Sequence, residues 1–120
     1  MSAIIVVEDE ALILEMYVEI LEMSGYQVRP FLNGDQAWEY IENSGLDPRL
    51  LITDLQMPGH IDGLGLIQRV RKRSPCTPII AVSGYHSGSD LLNHLEVYWL
   101  PKPFGINELT SICETLAPQT

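Results

Sequence analysis

The sequence predicts an α/β protein built on a parallel sheet covered on both faces. Three observations carry that prediction. Short apolar runs alternate with helically spaced segments five times along the chain. The runs at 4–7, 50–53 and 79–82 are almost wholly apolar or β-branched, as strands buried on both faces are. Acid, base or hydroxyl groups follow four of the five runs: Glu8-Asp9, Asp54, Ser83 and Lys102. Open α/β sheets place their chemistry there, outside the carboxyl ends of the strands.

The composition fits this class. A chain of 120 residues, 46% of them hydrophobic, suits one domain, residues 1–120, with a core that needs no staples. No apolar run approaches the ~18–20 residues of a membrane span. The opening segment turns acidic at Glu8 and lacks a basic leader, so it reads as a first strand. Cytoplasm is the expected location, with no membrane partner. Cys76 and Cys113 lack metal or redox spacing and are expected to stay reduced. A net charge of −9 argues against direct nucleic-acid binding. Arg69, Arg71, Lys72 and Arg73 are the local exception. They suit the negative pole of a helix, or a surface that steers a partner.

In chain order, the β-branched run at 4–7 is strand one. Ala11, Leu14, Val18 and Leu21 recur at helical spacing, with Glu15, Glu19 and Glu22 on a neighbouring stripe. Gly25 ends that helix. Residues 27–31 give a short second strand and Asn33-Gly34 a turn. A helix follows over 35–43, with Ala37, Tyr40 and Ile41 inward. Strand three, 50–53, rises to Asp54, and Pro58-Gly59 turns the chain away. Asp62 caps a helix carrying Leu66, Ile67 and Val70 inward, and Ser74-Pro75 stops it. Strand four is 79–82. A helix is only weakly signalled by Leu91, Leu92 and Leu95. Strand five is 97–100, and Leu109, Ile112, Cys113 and Leu116 mark a closing helix. Such alternation implies right-handed crossovers.

If the strand ends converge, Glu8, Asp9 and Asp54 repel one another unless a cation intervenes. Oxygen ligands without histidine or thiolate suit a hard ion such as Mg²⁺. Lys102 supplies a point positive charge for an oxygen of a transferred group, and Ser83 can donate to another. Phosphoryl transfer demands mainly positioning and charge neutralisation, so this set suffices for it.

Glu8-Asp9, Asp54 with Met57-Pro58, Ser83-Gly84 and Lys102-Pro103-Phe104 together resemble the receiver domain of two-component response regulators. The resemblance spans nearly the whole chain. Ser83-Gly84-Tyr85 with Leu100-Pro101-Lys102-Pro103 resembles receivers of hybrid histidine kinases and some stand-alone receivers. The resemblance implies a flavodoxin-like (βα)5 fold with strand order 2-1-3-4-5, here with a shortened fourth helix. It implies Asp54 as phosphoacceptor, taking the group from a phosphohistidine on a histidine kinase or histidine phosphotransfer protein. Asp9, Asp54 and the backbone carbonyl of Gln56 would hold Mg²⁺, with Glu8 acting through water. Lys102 would pair with Asp54 and precede a cis peptide bond, and Ser83 would contact the phosphoryl oxygens. Trp99 stands where the family carries a switching aromatic, and core packing is the competing role for it. Gln56 and Tyr85 flank the site as candidates for tuning phosphoryl lifetime. The implied protein is no turnover enzyme; it signals by binding a downstream protein.

Two spacings depart from the family. Gly59-His60-Ile61 makes the segment before Asp62-Gly63 one residue longer than usual, and the interval from Ser83 to Lys102 is about three residues short. His60, His86 and His94 lack ligand spacing and read as surface residues. A pseudo-receiver that only docks partners is the alternative. A haloacid-dehalogenase-type hydrolase also uses a strand-end Asp but needs a second Asp where this chain has Gln56. A nucleotide-binding reading fails because no glycine-rich phosphate motif occurs.

Overall fold

In the computed structural model, residues 3–55, 57, 59–84 and 97–119 are described. The elements run β1 (Ile4–Val7), α1 (Ala11–Met23), β2 (Val28–Phe31), α2 (Gly34–Ser44), β3 (Leu50–Asp54), α3 (Gly63–Arg73), β4 (Ile79–Ser83), β5 (Tyr98–Pro101) and the C-terminal helix α4 (Ile106–Leu116). The weakly signalled helix around Leu91, Leu92 and Leu95 lies outside the described residues, as do Gln56, Pro58, Tyr85, His86 and His94.

All strand pairs are parallel, in the order β2-β1-β3-β4-β5. The order reverses direction between β1 and β3, whose carboxyl ends therefore open the crevice typical of a switch point. Both central faces are dry. Ile4, Val6, Leu50, Ile52, Ile80 and Val82 point to one side, where Leu14, Tyr17, Leu21, Leu109 and Cys113 of α1 and α4 cover them. Ile5, Val7, Leu51, Ile79 and Ala81 point to the other, under Ala37, Ile41, Leu66, Ile67 and Val70 of α2 and α3. The period-two alternation of a strand thus feeds two separate cores, which is why residues 4–7 of β1 and 79–82 of β4 are all apolar. The edges are different. In β2, Arg29 and Pro30 are exposed, and proline is tolerated only where its missing N–H faces no neighbouring strand.

Several boundaries depart from expectation in informative ways. β3 runs through Asp54 and β4 through Ser83, so the acid and the hydroxyl are the last residues of their strands. β5 is shifted one residue toward Pro101. Asn33-Gly34 is not a free turn: Asn33 caps α2, its Oδ1 accepting from the Gln36 N–H at 2.8 Å. Gly34 opens the helix because a Cβ there would strike the Ile61 carbonyl. In α1 the inward stripe is Leu14, Tyr17 and Leu21, while Ala11 is exposed and Val18 half-buried. Gly25, at φ 97°, follows the Ser24 cap of α1 as a left-handed terminator should. Asp62 caps α3 as expected, accepting from the Gly65 N–H at 2.8 Å.

Candidate functional site

Four strand ends deliver the site. Glu8 leaves β1, Asp54 and Ser83 close β3 and β4, and Lys102 follows β5. Register places them at one sheet edge: Asp54 is paired with Val82, and Ser83 with Pro101. The Lys102 N–H donates to the Ser83 carbonyl at 2.9 Å, and the Leu55 N–H to the Val82 carbonyl at 3.2 Å. These bonds continue the sheet past its last residues and hold the three ends together.

Carboxylate oxygens of Glu8, Asp9 and Asp54 all lie within 4.8 Å of one another. Lys102 Nζ donates to Asp54 Oδ2 at 2.8 Å and stands 3.5 Å from Glu8 Oε1. The first is a short charge-assisted bond and the second a weak approach. Exposure is graded. The side chains of Glu8, Asp54 and Lys102 are 1%, 13% and 34% accessible, and Asp9 is exposed. Glu8 therefore floors the pocket, with its Oε2 also accepting the Glu10 N–H at 3.0 Å.

Burial pushes the Glu8 carboxyl above its ordinary value. A hydrogen bond with Asp9 and repulsion from Asp54 act the same way, and the Glu10 amide and Lys102 only partly offset them. For Lys102, burial alone would lower the ammonium's pKa, but the hydrogen bond and charge of Asp54, then the charge of Glu8, leave it raised. Both shifts reflect the crowding of carboxylates at one lysine: Asp54 and Glu8 act on Lys102, and Asp9 and Asp54 act on Glu8. The donor set is all oxygen, which fits a hard divalent cation better than a soft one.

The segment carrying Lys102 is fixed from below. Its peptide bond to Pro103 is cis, as the sequence resemblance implies. Phe104 packs on the α1/α4 core and stacks on Tyr17, ring centroids 5.9 Å apart. Ser83 is buried at its strand end. Trp99 is half-buried and packs against the core under α2 and α3. Sequence reasoning missed three contributors. Tyr17 holds up Phe104; Thr53, fully buried, donates through its hydroxyl to the Asp54 carbonyl at 2.9 Å. Gly63 lets α3 start against the Asp54 and Leu55 backbone, where any Cβ would collide. The glycine after Asp62 was the one signal available for the last of these.

The strand order, with acids and a lysine gathered at the carboxyl ends, defines a CheY-like α/β domain with an acidic crevice. The chain belongs to the response regulator receiver domain family, whose model matches residues 4–114. It is 31% identical over 125 residues to the alkaline phosphatase synthesis transcriptional regulatory protein SphR of Synechococcus elongatus, covering 96% of this chain and 48% of that one. It is 32% identical over 122 residues to the sensor kinase CckA of Brucella abortus, covering 98% of this chain and 13% of that one. The chain thus spans about half the length of SphR and a small part of CckA. Among solved structures, TrrA of Thermotoga maritima in complex with Mg²⁺-BeF superposes with a TM-score of 0.84 at 32% identity, covering 97% of this chain and 99% of that one. The receiver domain of NtrX from Brucella abortus gives 0.84 at 27% identity, covering 98% and 99%. No helix among the described residues is long and apolar enough to cross a membrane.

Proposed function

We propose that this receiver domain is phosphorylated on Asp54, taking the phosphoryl group from a phosphohistidine of a histidine kinase or histidine phosphotransfer protein. The observation that carries this is the 2.8 Å bond from Lys102 to Asp54 inside a group of three converging carboxylates. An Asp54 oxygen attacks phosphorus, a P–O bond forms, the P–N bond breaks, and its electron pair returns to the imidazole. Lys102 is placed to follow the negative charge from the Asp54 oxygen to the phosphoryl oxygens, and buried Ser83 closes the neighbouring strand end as a hydroxyl donor. Electrostatic positioning of this kind supplies most of what phosphoryl transfer requires.

Mg²⁺ fits the residues present: Asp9 and Asp54 would hold it, with the Gln56 carbonyl, and Glu8 would act through water. Bound there, the ion would neutralise the surplus acid charge and the incoming phosphate oxygens. The solved TrrA complex holds Mg²⁺ and BeF, which supports the same chemistry here. Phosphate on Asp54 adds charge beside Lys102 and Ser83, and the signal passes on by altered packing and protein binding. No separate substrate is turned over.

The test is transfer of labelled phosphate from a phosphorylated histidine phosphotransfer protein. Uptake is expected with Mg²⁺ and is lost with a chelator or in Asp54→Asn. Label retained by Asp54→Asn would refute the assignment, and no uptake by the parent protein from any phosphohistidine donor would favour a docking-only pseudo-receiver.

A further inference from the structure

The segment between β3 and α3 is one residue longer than the family pattern, and α2 holds it down through one side chain. Asp35, in the first turn of α2, accepts two backbone N–H bonds from that segment: His60 to Oδ2 and Ile61 to Oδ1, each at 3.1 Å. Gly59 is shaped to this contact. Its φ is +109°, and a Cβ on it would stand 2.7 Å from Asp35 Oδ2. Gly34, one residue before Asp35, lies against the Ile61 carbonyl with no room for a side chain. The far end of the segment is tied as well, since the Gly63 N–H donates to the Leu55 carbonyl at 3.2 Å. Two amide bonds to an ionised carboxylate are worth more than neutral ones. They hold His60 and Ile61 against the start of α2.

We propose that Asp35 is a positioning residue for the phosphorylation centre, pinning the longer segment so that the chain leaving Asp54 keeps one path. This rests on the function proposed above, in which the Gln56 carbonyl, in that same segment, is a metal ligand. Groups that orient a metal ligand typically change metal affinity by roughly ten- to a hundredfold when removed. The pin draws the start of α2, which carries none of the acidic site residues, into the site's support.

The test compares Mg²⁺ titrations, followed by tryptophan fluorescence, in the parent protein, Asp35→Asn, Gly59→Ala and Glu39→Gln, with urea midpoints and amide hydrogen exchange. Glu39→Gln removes an equal charge from an exposed position on the same helix. Asp35→Asn, which keeps only one acceptor oxygen, is expected to weaken Mg²⁺ binding roughly tenfold. It also speeds exchange of the His60 and Ile61 amides, measured without metal. Gly59→Ala, which pushes the carboxylate away from the segment's side, has the same effects. Glu39→Gln has neither. If Asp35→Asn changes Mg²⁺ affinity no more than Glu39→Gln does, or only in proportion to a lowered urea midpoint, the positioning role is wrong. A parent protein that shows no Mg²⁺ response at all overturns the functional reading itself and this inference with it.

Discussion

Lys102 faces the carboxylates of Glu8 and Asp54, and Glu8 is the more deeply buried of the two. The lysine's charge lowers the Glu8 pKa while burial, Asp9 and Asp54 raise it. Replacing it with a neutral group therefore moves Glu8 further up. Lys102→Gln is expected to raise the Glu8 carboxyl titration followed by carbon-detected NMR, and an unchanged midpoint would show that Lys102 does not neutralise the pocket floor. A second residue-scale consequence concerns base. Burial raises Tyr17 from 10.0 to about 12 and Cys113 from 9.0 to about 12. A folded-state pKa above the unfolded one gives stability that is whole below the unfolded value and lost as pH climbs toward the folded one. The window is thus pH 9 to 12, and each group is worth up to about 2–4 kcal/mol across it. The urea midpoint should fall steeply between pH 9 and pH 11; a flat profile would mean that neither group is held away from water. The acidic trio and Lys102 could be found in the sequence because each ends or follows a recognisable strand. Tyr17 and Thr53 could not, since nothing in an aromatic or a threonine within an element marks it as a support for a residue elsewhere.

Elements were legible in proportion to the contrast of their patterns. α3 shows one narrow apolar stripe, Leu66, Ile67 and Val70, and all three are buried as expected. α1 is apolar over most of its circumference, with Leu12, Met16 and Met23 exposed alongside the buried stripe. The phase of its inward face is therefore ambiguous: Tyr17 is buried in place of Val18, and Ala11 is exposed. α2 begins one residue earlier than the Asn33-Gly34 pair suggested, because that pair serves as cap and close-packed first turn. The capping readings have a direct check. Asn33→Ala and Asp62→Ala are each expected to cost about 1 kcal/mol, measured by urea unfolding. Asn33→Gly should cost only a few tenths. No loss in Asn33→Ala would mean that the Gln36 bond is not what holds the start of α2. Arg71, Lys72 and Arg73 occupy the last turn of α3. The guanidinium of Arg71 donates to the Pro75 and Thr77 carbonyls at 2.7 and 2.8 Å. These bonds tie the chain after α3 to the helix's last turn.

At the scale of the whole molecule, a parallel sheet with two dry faces brings side chains from Glu8 to Lys102 to one rim. The alternation of five apolar runs and the chemistry of their ends make the fold class and the acidic centre legible in the sequence. Strand order came from the family resemblance, since periodicity alone does not say which strands are neighbours. Phosphorylation as proposed requires an Asp54 oxygen to form the new P–O bond within that rim. Incubation with acetyl phosphate and Mg²⁺, followed by proteolysis and mass spectrometry, tests this most directly. The expected result is one added phosphoryl group, on the peptide containing Asp54, absent from Lys102→Gln at matched times and from Asp54→Asn at all times. A phosphoryl group on any other residue, or equal uptake without a divalent cation, would contradict it.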